Sequence, residues 1–110
     1  MSRKEKILAM LADEPHDTFL RYSLAMELRS EGDHDGSLEK LGELMRDSPP
    51  YVPAFFMAAQ QLVDLGRIDQ ARGKLRDGID QARQQGDSHA AAEMSELLMS
   101  LGEFGEDEEL

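Results

Sequence analysis

The 110-residue sequence predicts an all-α domain of about six helices. Three observations carry that expectation. Ala, Leu, Met, Glu, Gln and Arg are plentiful while the Val, Ile and Thr that favour strands are sparse, a balance that favours helix throughout. The chain matches itself at an interval of 34 residues. Each interval holds two apolar runs of helical spacing with a glycine between them.

The self-match is dense. Gly32 and Gly66, Ala25 and Ala59, Leu28 and Leu62, and Leu41 and Leu75 are each 34 residues apart. Pro15 and Pro49 keep the same interval, and the small Ser37 is matched by the small Ala71. Repetition at this period means that each copy is a supersecondary unit whose apolar face is covered by its neighbours.

Taken in order, "SRKEKILAMLADEP" is a helix expected to turn Ile7, Met10 and Leu11 inward. "DTFLRYSLAMELRSEG" places Phe19 or Leu20, then Leu24 and Leu28, on one face and stops at Gly32, a glycine suited to the left-handed residue after a helix. Asp33 then caps the next helix, whose stripe is Leu38, Leu41, Leu44 and Met45, closed by "DSPP". The second copy repeats the plan from Pro53 to Gly86, with Arg67 in the place of Asp33 and a last long helix that runs to Gln85. In "DSHAAAEMSELLMSLG" Met94, Leu98 and Leu101 form one face and Glu93, Ser95, Glu96 and Ser100 the polar side, a pattern suited to a cap.

The stretch "RSEGDHDGSLEK" sets three acidic groups, Glu31, Asp33 and Asp35, and a histidine around two glycines, with a fourth, Glu39, further on. A calcium loop needs oxygen ligands at alternating positions over about twelve residues, ending in a bidentate Glu. That pattern is absent, and the matching turn "LGRIDQ" has lost two of the three acidic groups. The stretch is read as a plain turn between helices.

Composition narrows the function classes. A net charge of −11 opposes general nucleic-acid binding, which begins with Lys and Arg on phosphates, and opposes docking on anionic membranes. The apolar run "ILAMLA" is too short for a signal peptide and no stretch approaches the roughly 18 apolar residues of a membrane span, so a cytoplasmic location is expected. The absence of cysteine excludes disulfides and thiolate metal sites. His16, His34 and His89 fall in different turns or at a helix start and are expected to lack a metal-ligating partner one turn on, His16 being read as part of a cap beside Asp17. No Gly-rich phosphate loop occurs and no catalytic constellation converges on Ser23, Ser37 or Ser95. The expectation is a non-enzyme with no cofactor and no metal.

The 34-residue helix–turn–helix resembles the tetratricopeptide repeat. In the first copy Leu24, Ala25, Leu28, Ser37, Leu41 and Pro49 fall on the pattern's Leu, small, large, small, large and Pro positions. In the second, Phe55, Ala58, Ala59, Leu62, Ala71, Leu75 and Gly78 take the pattern's positions from its first large residue to the usual Ala late in the second helix. Arg21 stands where a large apolar residue is usual, Leu44 where Ala is usual, Arg3 where a small residue is usual, and Arg83 replaces the closing Pro. The resemblance implies a right-handed superhelical stack of antiparallel helix pairs: a half-repeat helix at 1–14, full repeats at 18–51 and 52–85, and a capping helix at 87–102. The tail at 103–110 is expected to be an acidic, disordered end, with Phe104 as an anchor and a basic partner as the alternative reading.

The resemblance also implies a concave surface made by the first helix of each repeat. It would carry Phe19, Tyr22, Met26 and Arg29, then Pro53, Phe56, Gln60 and Val63, then His89, Ala92, Glu96 and Met99. The candidate partner-binding residues are Phe19, Tyr22, Met26, Phe56, Gln60, Val63 and Met99, an apolar set suited to a partner helix or extended peptide. Some of them are alternatively core. The carboxylate clamp of chaperone-binding members is absent, because its positions hold Tyr22, Met26, Met57, His89 and Glu93. The expected function is a non-catalytic protein-interaction module, monomeric or weakly dimeric, without nucleic-acid or membrane partners. The alternative is a subunit that uses the same apolar surface as a homodimer interface.

Overall fold

The structure is a computed structural model that describes residues 1–102. The acidic tail and Phe104 lie outside the described residues. Among the described residues there are six helices and no strand: α1 (Arg3–Asp13), α2 (Thr18–Ser30), α3 (His34–Met45), α4 (Val52–Asp64), α5 (Ile68–Gln84) and α6 (Ser88–Ser100). The all-α expectation is met.

Local chemistry fixes the helix ends. At α1 the Ser2 hydroxyl accepts from the Glu5 N–H at 3.2 Å and the Glu5 carboxylate accepts from the Ser2 N–H at 3.1 Å, a reciprocal capping box. Asp17, Asp33 and Asp87 cap α2, α3 and α6 through their carboxylates. Arg67 begins α5 with no side-chain cap. At the other end Gly32 has φ +84°. Its N–H donates to the Arg29 carbonyl at 3.0 Å and the Asp33 N–H to the Leu28 carbonyl at 2.9 Å, the paired bonds that close a helix through a left-handed residue. Gly66, Gly86 and Gly102 have positive φ at the same station. "RSEGDHDGSLEK" is therefore a helix stop followed by a helix cap.

The chain divides into two compact units, Met1–Ala54 and Phe55 onward, the division falling inside α4. In the first, Ile7, Leu20, Leu24, Ala25, Leu41 and Leu44 are buried. The small pair Ala25 and Ser37 lets α2 and α3 meet closely. The Ser37 hydroxyl donates to the Ala25 carbonyl at 2.7 Å, so this buried group is satisfied. Arg21, in the place of a large apolar residue, forms a two-pronged bridge to Asp47 at 2.6 and 3.1 Å. The Arg21 hydrogen bonds, then its charge, hold the Asp47 carboxyl below its ordinary range. Tyr22 packs edge-on against Tyr51, ring centres 5.6 Å apart.

In the second unit Phe55, Ala58, Ala59, Leu62, Ala71, Leu75, Ile79, Met94 and Leu98 are buried. Gly78 of α5 lies where a Cβ would come within 2.6 Å of both the Phe55 Cβ and the Met94 sulfur. Glycine at this station thus makes room for Phe55. Arg72, nearly buried, donates to Asp69 at 2.7 Å and to the Leu101 carbonyl at 2.8 Å, tying the start of α5 to the end of α6.

Two glycines of α5 give opposite expectations. Nothing lies within 4 Å of a Cβ at Gly73, so Gly73→Ala is expected to stabilise the fold by up to about 1 kcal/mol through helix propensity. At Gly78 the same gain is outweighed by overpacking against Phe55, typically about 1–3 kcal/mol. Thermal unfolding of the two variants should shift in opposite directions.

A second expectation concerns pH. Because the Asp47 carboxyl titrates lower in the folded chain than in the unfolded one, its contribution is complete above the unfolded carboxylate range, near pH 4, and is lost as pH falls through the folded value. Asp47→Asn is expected to cost at most about 1 kcal/mol at neutral pH. In urea titrations the gap between wild type and variant should close as the pH drops below about 4.

Candidate functional site

Polar chemistry offers little among the described residues. No group of three or more His, Asp or Glu side chains is placed to hold a metal ion. One expectation needs correction here: His89 does have a potential ligand one turn on, since its Nε2 lies 3.0 Å from the Glu93 carboxylate. The pair is exposed and two-membered, a surface contact between neighbours on one helix face. The cap expected around His16 is supplied by Asp17, whose carboxylate accepts from the Leu20 N–H at 2.8 Å.

The larger feature is an apolar concavity of about 630 Å³ in the first unit, between α1 and α2. Its walls include Ile7, Met10, Leu20, Phe19, Tyr22 and Met26. Arg3 and Glu27, ion-paired at 3.2 Å, line it together with Glu14 and Asp17. Lys4 to Glu31 at 2.9 Å adds a second tie between the two helices, and the hydrogen bond to Glu31 raises the Lys4 ammonium above its ordinary range. Within the concavity Phe19 is 72% exposed and Met10 49%, whereas Ile7 is 6% exposed. Tyr22 and Met26 are half-buried. Burial, then the neighbouring Tyr51, pushes the Tyr22 phenol upward, so at neutral pH it is an uncharged hydroxyl on an apolar wall.

Three of the seven candidate residues, Phe19, Tyr22 and Met26, thus line one concavity. In the second unit Phe56, Gln60 and Val63 are half-buried along α4, and Met99 of α6 is 59% exposed. Of the pair Phe19 or Leu20, Leu20 is the inward residue at 8% exposure. Met10, expected inward, opens instead into the concavity. The signal for Met10 was present in the repeat. Its counterparts 34 and 68 residues on are the buried Leu44 and Gly78, the latter against Phe55 of the preceding helix, while α1 is the first helix of the described structure.

A second, smaller concavity of about 390 Å³ lies on α6 and the end of α5, at Arg83, Ser88, Ala91, Ala92 and Ser95. Ala92 is the member of the predicted concave set that reaches it.

Comparison with solved structures decides the fold. The structure matches the solution structure of a tetratricopeptide repeat domain protein from Salinibacter ruber with a TM-score of 0.74 and 27% identity, over 80% of this chain and 89% of that one. The fold is tetratricopeptide-like. A protein from Bordetella parapertussis matches with a TM-score of 0.77 and 25% identity, over 92% of this chain and 88% of that one. No protein-family model matches the sequence, and no curated protein matches it significantly. No helix of the described residues is long and apolar enough to cross a membrane.

The tetratricopeptide-like geometry separates two kinds of apolar residue on α2. Leu24→Ala is expected to cost about 2–5 kcal/mol, as for other buried leucines. Phe19→Ser should change stability by less than about 0.5 kcal/mol, because a mostly exposed ring has little burial to lose. Chemical denaturation of both variants checks whether Phe19 is free of any packing role.

Proposed function

We propose that the chain is a non-catalytic protein-interaction module that docks an apolar helical or extended segment of a partner protein. The proposal takes residues 18–51 and 52–85 as full repeats and the flanking helices as half-repeats. The observation that carries it is the exposure of Phe19 and Met10 beside half-buried Tyr22 and Met26 in one open apolar concavity. Scattered apolar residues are ordinary on protein surfaces, but apolar residues gathered in a concave site are a feature of binding surfaces. Methionine suits such a wall because its thioether adapts to irregular shapes.

In the second unit we assign Phe56, Gln60 and Val63 to the same role. They follow one another at i, i+4 and i+7 along α4, a spacing that keeps them on one face, and Met99 is an exposed apolar residue of α6. The likeness to a tetratricopeptide repeat domain protein supports an interaction role, and we assign the chain an adaptor, scaffold or chaperone-like use within it.

The test is capture from lysate with quantitative mass spectrometry, using wild-type protein beside two variants shown by circular dichroism to remain helical. Phe19→Glu with Met26→Glu places charge in the α1–α2 concavity, and Phe56→Glu places it on α4. Loss of the same partner by at least about tenfold, the effect of roughly 1.4 kcal/mol, supports the assignment. Undiminished capture by both variants overturns it.

A further inference from the structure

We infer that the segment docked in the α1–α2 concavity is α6 of a second copy of this chain. The inference rests on the reading that this concavity is a docking site, and it names the occupant. The internal period supplies the reasoning. By that period α1 corresponds to α3 and α5, the second helices of their pairs. Each of those has a first helix against it: Ser37 of α3 bonds to Ala25 of α2, and Gly78 of α5 lies against Phe55 of α4. Helix α1 has no such predecessor in the described structure. Helix α6 has the opposite deficit. It ends at a positive-φ glycine, Gly102, as α2 ends at Gly32, so by the period it is a first helix, and among the described residues no second helix packs on it.

Aligning those glycines sets Ser95 level with Ala25 and Ala91 level with Arg21 and Phe55. Two contacts then follow. Where Phe55 is large, its partner Gly78 is small. At the ends the sizes are reversed, Ala91 beside a concavity of about 390 Å³ on α6 and the half-exposed Met10 on α1. Where Ser37 reaches the Ala25 carbonyl, α1 carries Arg3 and α6 carries Ser95. Ala25 and Ala59 are fully buried, yet their counterpart Ser95 is partly open.

Charge agrees with the pairing. Packed antiparallel, as consecutive helices are, the first turns of α1 with Arg3, Lys4 and Lys6 lie along the half of α6 that carries Glu93 and Glu96. Helix α6 has no Lys or Arg. Arg3 and Lys4 are already bonded to Glu27 and Glu31, which leaves Lys6 and the unused donors of the Arg3 guanidinium, whose side chain is 80% exposed, for the incoming carboxylates.

The contact joins two different surfaces, so it differs from a dimer that pairs one surface with itself. The experiment measures the mass of the full chain in solution by sedimentation equilibrium from about 10 μM to about 1 mM, a range that reaches weak association. Met10→Glu disables α1 and leaves α6 intact; Ser95→Arg does the reverse. Circular dichroism confirms that both remain helical. The wild type should rise above its 12.3 kDa monomer mass with concentration. Each variant alone should associate at least about tenfold more weakly. An equimolar mixture of the two should regain association as a 1:1 pair. A wild type that stays monomeric, or a Ser95→Arg variant that still self-associates, overturns the inference. A monomeric wild type that still loses a heterologous partner on Phe19→Glu with Met26→Glu overturns the inference and leaves the docking reading standing.

Discussion

The distance between paired helices is set where a side chain of one meets the backbone of the other, and most of the first unit follows from that spacing. The hydroxyl of Ser37 lies 2.7 Å from the carbonyl of Ala25, both residues fully buried. Only small residues at both stations allow this approach. With the helices this close, Leu41 and Leu44 lose all exposure, and Arg21 comes within reach of Asp47. In the second unit Gly78 makes the corresponding room for Phe55 and Met94. Interiors packed at this density respond to a single added methyl group, which is why small residues carry more of the fold than their number implies.

Electrostatics plays a smaller part in stability and a larger one in choice of contact. The chain carries a net charge of −11, and self-repulsion of that size opposes compactness while favouring solubility. Its cations are placed against this background. Arg3, Lys4 and Arg21 each bridge to a carboxylate on the next helix or just beyond its end, and Arg72 reaches the Leu101 carbonyl. Exposed pairs of this kind contribute little each, roughly 0–1 kcal/mol. Their effect is to fix which helix faces lie together. Arg21 illustrates this: it departs from the apolar residue usual at its position, and Asp47 supplies the compensation.

Much of this was legible in the sequence because the repeat is written in residue types with one structural use. Gly32, Gly66, Gly86 and Gly102 mark four helix ends by positive φ, and Asp33 after Gly32 marks a cap. Small residues 34 apart locate close approach. Site residues were read less well, for a physical reason. Helical periodicity tells which residues share a face but not whether a neighbour covers it. Phe19 and Leu20 are adjacent and equally apolar, yet one is 72% and the other 8% exposed. Met10 was assigned inward on the same periodicity, and its exposure depends on which helices lie beside α1 rather than on its own helix.

That dependence makes the two terminal helices the informative part of the molecule. A repeat unit buries its apolar face only against neighbours, so α1 and α6 must be capped by polar side chains, by another molecule, or not at all. The polar face of α6 reads as a cap in sequence, but Ala91, Ala92 and Ser95 stand beside an open concavity rather than under a layer of long charged side chains. At α1 the charged residues occupy the first turns, and the central residues are Ile7, Leu8 and Met10, two of them about half exposed. Among the described residues neither helix is covered by a layer of long charged side chains. The large negative charge then acts as a control on association, since repulsion between whole chains is screened beyond about 10 Å at 0.1 M salt while a fitted contact is much shorter. A strong net charge combined with short, fitted contacts favours selective association over aggregation.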